Sequence, residues 1–533
     1  MPTYLLVTTT VIIACIICNK ISSKLGIPML LAFILLGMFF GSDGIVKIQF
    51  DNFIFAEKIC SIALIFIMFY GGFGTKWSEA KPVAGKAILL STFGVVLTAA
   101  ITGLFCHYVL KIKLLESMLI GSVIGSTDAA SVFSILRSKQ LNLTYNTASR
   151  LEVESGSNDP SSYMLTAIML SLMGGSAQGG GFAYMVFAQI IYGVIFGVIV
   201  ALIALWVLKR FPFETKGFDT IFVFAIALLA YAAPAALGGN GYLSVYIVGI
   251  ILGNRPIKNK QSLVHFFDGV TGLVQMLIFF LLGLLAFPSQ MPKVVYPAIL
   301  IALFLTFVAR PVAVFLILTP FRCPFNQQIL VSLCGLRGAA SIVFAVMVTV
   351  SPVNTNNDVF HIVFCIVLFS ILFQGSLLPI AAKKLDMIDE NVNVLKTFND
   401  YTEEVPVRFI QFTNRENHPW VENKIRDIVI PPETLLVFLQ RGEEQIAPNG
   451  QTVLSAGDIL VLSAKAPRIM SDMSLTELQL QGGNDWVGKK VSSIELDPDK
   501  LIIMIQRAGR IVIPSGETVL NENDVLVINY SEK

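Results

Sequence analysis

Residues 149–173 read SRLEVESGSNDPSSYMLTAIMLSLM. The stretch is long enough to cross a bilayer core, yet its first half carries Glu152, Glu154, Ser155, Asn158 and Asp159. An ionisable group at membrane depth costs about 2.5–3.5 kcal/mol or more, so such residues are read first as functional. At four-residue spacing Ser155 and Asp159 share one helix face, as do Glu154 and Asn158 on the adjacent one. One helix can then present a hydroxyl, an amide and a carboxylate to a single cavity. Oxygen ligands of that kind suit alkali cations, and burial lets a carboxylate bind a proton in place of the cation. An Asp159 that holds a proton or a cation, but not both, is the minimal exchanger.

The rest of the chain fits a membrane setting. Of 533 residues only 14% are charged and 55% are hydrophobic, with 39 phenylalanines, against roughly 25% charged in average globular chains. The deficit lies in residues 1–385. Apolar spans are expected there at 3–19, 26–42, 53–74, 87–110, 114–136, 149–173, 182–208, 218–237, 240–253, 262–287, 294–319, 326–350 and 357–382, each to within about four residues. The expected fold is therefore a membrane all-α body of about thirteen crossings, followed by a soluble tail. The domains are a transmembrane domain at 1–385, a linker at 386–400, and two small modules at 401–470 and 471–533. The first apolar run lacks a basic segment before it and reads as a retained helix. The net charge of +2 gives no footprint for nucleic acid. The seven cysteines, all in the membrane body, read as buried thiols.

Basic residues fix the expected orientation. Lys20, Lys24, Lys76, Lys81, Lys86, Arg137, Lys139, Arg150, Lys209, Arg210, Lys216, Arg255, Lys258, Lys260, Arg322, Lys383 and Lys384 fall in one set of loops, and the opposite set holds Lys47, Lys111, Lys113 and Lys293. The positive-inside rule puts the rich set and the tail in the cytoplasm, with the N-terminus outside.

The tail repeats itself. Trp420, Lys424, Gln440, Arg441, Pro448, Gly450, Thr452 and Asp458 recur as Trp486, Lys490, Gln506, Arg507, Pro514, Gly516, Thr518 and Asp524, always 66 residues later. Strand-like runs alternate with Pro-Asn-Gly and Pro-Ser-Gly turns, so the tail is a tandem pair of β-rich, α+β modules.

Two further clusters lie at membrane depth. Gly125-Ser126-Thr127-Asp128 sits in the fifth span and Gly335-Leu336-Arg337-Gly338-Ala339 in the twelfth. Glycine, serine and threonine weaken a helix there, and broken membrane helices are tolerated where they line a cavity. Asp128 suits a half-helix end, where it neutralises freed N–H groups. Arg337 is expected to balance Glu154, leaving Asp159 to titrate. Blander readings apply elsewhere. Glu152 beside Arg150 reads as structural, and the Gly37/Gly41 and Gly193/Gly197 spacings read as helix packing. Asp268, Arg310, His107, His265 and His361 lie near span ends and read as interfacial anchors.

Together Thr127-Asp128, Glu154-Ser155…Asn158-Asp159-Pro160 and Gly335-Leu336-Arg337-Gly338-Ala339 resemble the monovalent cation–proton antiporter superfamily, in its NhaP-like branch. Phe267-Asp268-Gly269 and Lys24-Leu25-Gly26-Ile27-Pro28 fit the same pattern. The resemblance implies thirteen helices with inverted repeats, unwound fifth and twelfth helices that cross, and a homodimer working by an elevator-like movement. It places the ion-binding aspartate at Asp159, its neighbours at Asn158, Ser155 and Thr127, and the charge-balancing pair at Glu154 and Arg337. An Asn before that Asp marks electroneutral members. Sodium-selective relatives often carry a Glu before Gly-Gly in the third span, where this chain has Tyr70. Losing that acid weakens the field at the site and shifts preference from Na⁺ to K⁺. The implied activity is K⁺/H⁺ antiport in a bacterial inner membrane, serving pH homeostasis.

The modules resemble the C-terminal subdomain of potassium-transport regulators (the RCK-C or TrkA-C domain), through Pro448-Asn449-Gly450…Gly457-Asp458 and Pro514-Ser515-Gly516…Asn523-Asp524. That implies dimerisation and a small regulatory ligand such as a nucleotide. Asn523 replaces the preferred glycine, so its turn is expected to differ. Three rivals remain: Na⁺(Li⁺)/H⁺ exchange, a cation channel gated by the tail, and an intramembrane hydrolase. The channel reading lacks a Thr-Val-Gly-Tyr-Gly filter. The hydrolase reading lacks a catalytic partner on a second helix, so no enzyme activity and no cofactor are expected.

Overall fold

The computed structural model describes residues 2–25, 29–139, 141–175, 180–211, 215, 217–257, 259–388, 407–416, 418–431, 434–442, 444–446, 448–465, 473–480, 484–494, 496, 500–507, 510–512 and 514–531. Residues 26–28 of the Lys24–Pro28 motif, residues 389–400 of the expected linker and the module junction at 466–472 lie outside them. The chain divides into two compact units, Met1–Thr402 and Glu403–Lys533.

The first unit is helical. In chain order its helices are α1 (Pro2–Leu25), α2 (Met29–Phe40), α3 (Phe53–Gly74), α4 (Trp77–Leu89), α5 (Val95–Tyr108), α6 (Leu114–Val123), α7 (Ala129–Ser138), α8 (Thr147–Met173) and α9 (Gly180–Arg210). There follow α10 (Phe218–Ala235), α11 (Gly241–Gly253), α12 (Lys260–Leu285), α13 (Met291–Phe304), α14 (Arg310–Leu318), α15 (Phe325–Leu333), α16 (Ala339–Val350), α17 (Val359–Phe369) and α18 (Gly375–Lys384). π-helical turns at Leu90–Gly94, Leu305–Ala309 and Ser370–Gln374 join α4 to α5, α13 to α14 and α17 to α18 as continuous rods. Among the described residues, 7 rods are long and apolar enough to cross a membrane by length and composition: α3, α4–α5, α9, α10, α12, α13–α14 and α17–α18.

Local chemistry sets the helix ends. The Asn52 carboxamide accepts from the Phe55 N–H at 2.9 Å to open α3, and Asn240 accepts from Leu243 at 3.0 Å to open α11. Two interruptions have a different cause. α6 stops at Val123 and α7 starts at Ala129, while α15 stops at Leu333 and α16 starts at Ala339. Both gaps contain glycine, Gly125 in one and Gly335 and Gly338 in the other, which costs about 1 kcal/mol per residue in a helix interior. The order is the same each time: a rod with a π turn, a short helix, a gap, a second short helix.

Helices meet through small residues. A Cβ at Gly37 would fall 2.2 Å from the Phe280 carbonyl oxygen, and one at Gly283 would fall 2.2 Å from that of Ile34, so α2 and α12 touch backbone to backbone. Gly249 brings α11 equally close to α3, 2.4 Å from the Phe69 oxygen. Gly193 and Gly197 pack α9 against α11 and the Asn240 that precedes it, as their spacing indicates. The seven cysteines are free thiols and, Cys18 apart, buried.

The second unit holds two antiparallel four-stranded sheets of identical order. The strands are β1 (Val407–Thr413), β2 (Thr434–Arg441), β3 (Glu444–Ile446), β4 (Ile459–Lys465), β5 (Met473–Gln479), β6 (Lys500–Arg507), β7 (Arg510–Val512) and β8 (Val525–Ser531). They are arranged β1-β4-β2-β3 and β5-β8-β6-β7. The register shifts at Leu436/Phe438 and again at Ile502/Met504. Short 3₁₀ turns at Ile425–Asp427 and Val491–Ser493 are the helical content of this unit among the described residues, less than an α+β module implies. Leu439 and Leu460 fill one core, Ile505 and Leu526 the other. The turn at Asn523 does not differ from its counterpart. Asn523 has φ 67° and Gly457 φ 87°, both left-handed, a conformation asparagine tolerates because its short polar side chain bonds locally.

Candidate ion-binding site

The two interruptions meet. The Asp128 amide donates to the Leu336 carbonyl at 2.7 Å. Arg337 Nη1 donates to the carbonyls of Gly125 at 2.8 Å and Ser126 at 2.7 Å, and its backbone N–H donates to Ser370 Oγ at 3.0 Å. Those carbonyls follow the C-terminal end of α6, where partial negative charge collects, so a guanidinium is the complementary group. Asp128 does the converse. Its carboxylate accepts from the Ser131 N–H at 3.3 Å and from the Ser131 hydroxyl at 2.6 Å, capping α7. Gly338, at the start of α16, lies against it: a Cβ there would come 2.4 Å from Asp128 Oδ2. One charge of each sign thus serves the broken ends.

α8 packs beside this crossing. Ser126 Oγ donates to Asp159 Oδ1. Asn158 Nδ2 donates to Thr127 Oγ1 at 2.5 Å, and Ser155 Oγ donates to the Thr127 carbonyl at 2.7 Å. Thr127, Ser155, Asn158 and Asp159 are therefore brought together, and Ser126 joins them. Ser126 carries no signal of its own in the sequence beyond its place in the glycine-bearing stretch. Asn158 and Asp159 are buried, and Asn158 Oδ1 has no hydrogen-bond partner. A buried orphan acceptor is costly. A monovalent cation carried as cargo has no protons to place and would satisfy such an oxygen together with the neighbouring carboxylate.

Glu154 does not pair with Arg337. Its Oε1 accepts from Arg310 Nη2, and both side chains are buried. Arg337 is already engaged by the α6 carbonyls, and the π turn before α14 carries Arg310 inward rather than to an interface. His361 is likewise buried: Nδ1 lies 2.5 Å from Asp358 Oδ2, and Nε2 accepts from the Phe287 N–H at 3.1 Å. Asp268 is exposed and accepts from the Tyr70 hydroxyl at 3.2 Å, which joins the third-span tyrosine to the Phe267-Asp268-Gly269 motif. Glu152 and Arg150 are both buried on α8.

Other positioning contacts have no sequence signature. Gly156 leaves room for the Tyr246 ring, which a Cβ would approach to 2.6 Å. Asn240 Nδ2 donates to the Pro160 carbonyl at 2.8 Å, tying the start of α11 to α8 beside Asp159.

Glu154 is neutralised by Arg310, and Asp159 makes no ion pair among the described residues. A proton or a monovalent cation can supply the missing positive charge.

Both parts of the chain match known families. The family described as sodium/hydrogen exchanger, transmembrane, matches residues 8–384, and the TrkA-C domain matches residues 409–471 and 475–532. The K(+)/H(+) antiporter NhaP2 of Shewanella baltica is 32% identical over 451 residues, spanning 84% of this chain and 78% of that protein. The K(+)/H(+) antiporter NhaP of Alkalimonas amylolytica is 32% identical over 505 residues, spanning 93% and 88%. The fold matches the sodium proton antiporter MjNhaP1 from Methanocaldococcus jannaschii with a TM-score of 0.63 and 24% identity, over 72% of this chain and 99% of that one. A match running through both interruptions and the whole of α8, joined to two tail domains, places this chain in the transmembrane sodium/hydrogen exchanger family.

Proposed function

We propose that the protein exchanges K⁺ for protons across a bacterial inner membrane, with Asp159 as the carrier. The observation that carries this reading is the meeting of Asp159 and Ser126 beside the buried, unpartnered Asn158 Oδ1. Thr127 and Ser155 complete an oxygen-rich pocket that holds either a cation or, on Asp159, a proton. Exchange is electroneutral, because Asn158 adds no second charge. Glu154, Asp128, Arg310 and Arg337 hold the crossing and its charges in place. The 7 long rods, with α1, α2, α8, α11 and the interrupted pairs α6/α7 and α15/α16, make about thirteen crossings. The repeated order of π-turn rod and interrupted pair is the trace of an inverted repeat. The N-terminus lies outside and the tail in the cytoplasm. The helical body forms a homodimer and moves its ion site by an elevator step, and the tail modules set activity through a small ligand.

Potassium is supported by Tyr70 at the position of the missing acid and by the two bacterial relatives, both K(+)/H(+) antiporters by name. Sodium exchange is the second reading, favoured by the description of the family that matches residues 8–384. Proteoliposomes with an imposed pH gradient separate them. K⁺ and Rb⁺ should collapse the gradient and Na⁺ and Li⁺ should not; the reverse pattern would overturn the potassium assignment.

A further inference from the structure

Beyond Asp159, α8 continues into a cluster of tyrosines. The Tyr163 ring packs edge-on against Tyr242 of α11 with centroids 4.9 Å apart, and Tyr231 of α10 packs on Tyr242 at 4.9 Å. The Tyr242 hydroxyl donates to the Ser61 carbonyl on α3 at 3.4 Å, and Ser61 Oγ donates to Glu57 Oε1 at 2.9 Å. Ring contacts and hydrogen bonds thus link Tyr163, one turn past Asp159, to Ser61 and Glu57 in the first turns of α3.

The direction of this series of contacts is fixed. On the opposite side of Asp159, Gly156 faces the Tyr246 ring and Gly72 faces the Tyr246 carbonyl, so α3 and α11 run together and α8 runs against them. Asn240, bonded to the Pro160 carbonyl and capping α11, holds the tyrosines in register with Asp159.

Packing alone does not account for the choice of residue. The chain has 39 phenylalanines and 13 tyrosines, yet three tyrosines touch here, where phenylalanine would fill the space without a hydroxyl to desolvate. Aromatic faces attract cations, and hydroxyl and carboxylate oxygens can replace part of a hydration shell.

We propose that Glu57, Ser61 and the phenols of Tyr163, Tyr231 and Tyr242 form a second, outer station for a monovalent cation. The station lies on the route between Asp159 and the membrane face where α3 begins. It rests on the exchange reading above, and adds a site with its own sidedness. Glu57 supplies the charge, and Ser61 orients that carboxylate.

The test is K⁺-driven proton movement by the full chain in right-side-out and inside-out membrane vesicles. In Glu57→Gln the half-saturating K⁺ concentration should rise about tenfold at the face where α3 begins, the effect of losing one screened charge, and stay within about twofold at the other face. No change at either face, or an equal change at both, would overturn the outer station. If Glu57→Gln is inactive from both sides, Glu57→Asp decides: wild-type affinity at both faces supports the charge requirement, and loss with aspartate overturns it. A wild type that moves no protons in response to K⁺ would instead defeat the exchange reading itself.

Discussion

Glu154 of α8 and Arg310 of α14 form an ion pair shielded from solvent, their side chains 1% and 3% exposed. Breaking such a pair leaves a buried charge without compensation, at about 3–5 kcal/mol, whereas replacing both partners with neutral groups costs far less. Arg310→Met and Glu154→Gln should each lower the melting temperature of the purified protein, and the double variant should recover much of the loss. Additive losses in the double variant would show that the two residues act separately.

Gly338 is the tightest point of the crossing. Its missing Cβ would sit 2.4 Å from Asp128 Oδ2 and 2.5 Å from Asp128 Cβ, so alanine there must push Asp128 off the α7 end. Gly338→Ala should reduce exchange at least about tenfold while leaving the protein in the membrane at normal amounts, since Asp128 caps one helix turn rather than the whole fold. Unchanged transport would mean the crossing tolerates a shift larger than the site chemistry allows.

Tyr70 offers a gain-of-function test. Tyr70→Glu would place a carboxylate beside Asp268, strengthening the local field. The ratio of Na⁺ to K⁺ response in the gradient assay should rise. A ratio that stays fixed would remove Tyr70 from any part in selectivity.

In the tail, Arg441 bonds both oxygens of buried Asp458 at 2.8 Å, and Arg507 does the same to Asp524. The hydrogen bonds from these guanidinium groups hold both carboxyls below their ordinary value of 3.8. A depressed folded-state value means the stabilisation is fully present above the unfolded value and drains away as pH falls through the folded one. Urea unfolding of the full chain, followed by Trp420 and Trp486 emission, should show the tail weakening below about pH 4. Arg441→Met should flatten that dependence in the first module, and an unchanged pH profile would contradict the assignment.

Much of the helical layout is readable in the sequence, because apolar length against bilayer thickness is a one-dimensional property. The interruptions are readable too, since Gly125, Gly335 and Gly338 weaken a helix wherever it packs. The tail repeat is legible, and the structure adds β-bulges that recur at the same 66-residue offset as the sequence match. Partner choice is not. Whether Glu154 meets Arg310 or Arg337 depends on how α14 is rotated by the π turn at Leu305–Ala309, and LTFVA has no composition that marks such a turn. His361 looks like an interfacial residue by position, and only the neighbouring α12–α13 connection shows it buried. The Asn523 turn is the reverse case: the sequence pattern overstates the need for glycine, because the left-handed conformation is open to asparagine as well.

The central claim is that Asp159 binds a proton or a cation and never both. Adding K⁺ to purified protein in weakly buffered solution, with proton release followed by a pH-sensitive dye, tests it most directly. The wild type should release protons as K⁺ binds, and Asp159→Asn, folded to the same melting temperature, should release none. K⁺ binding without proton release in the wild type, or undiminished release in the variant, would contradict the account.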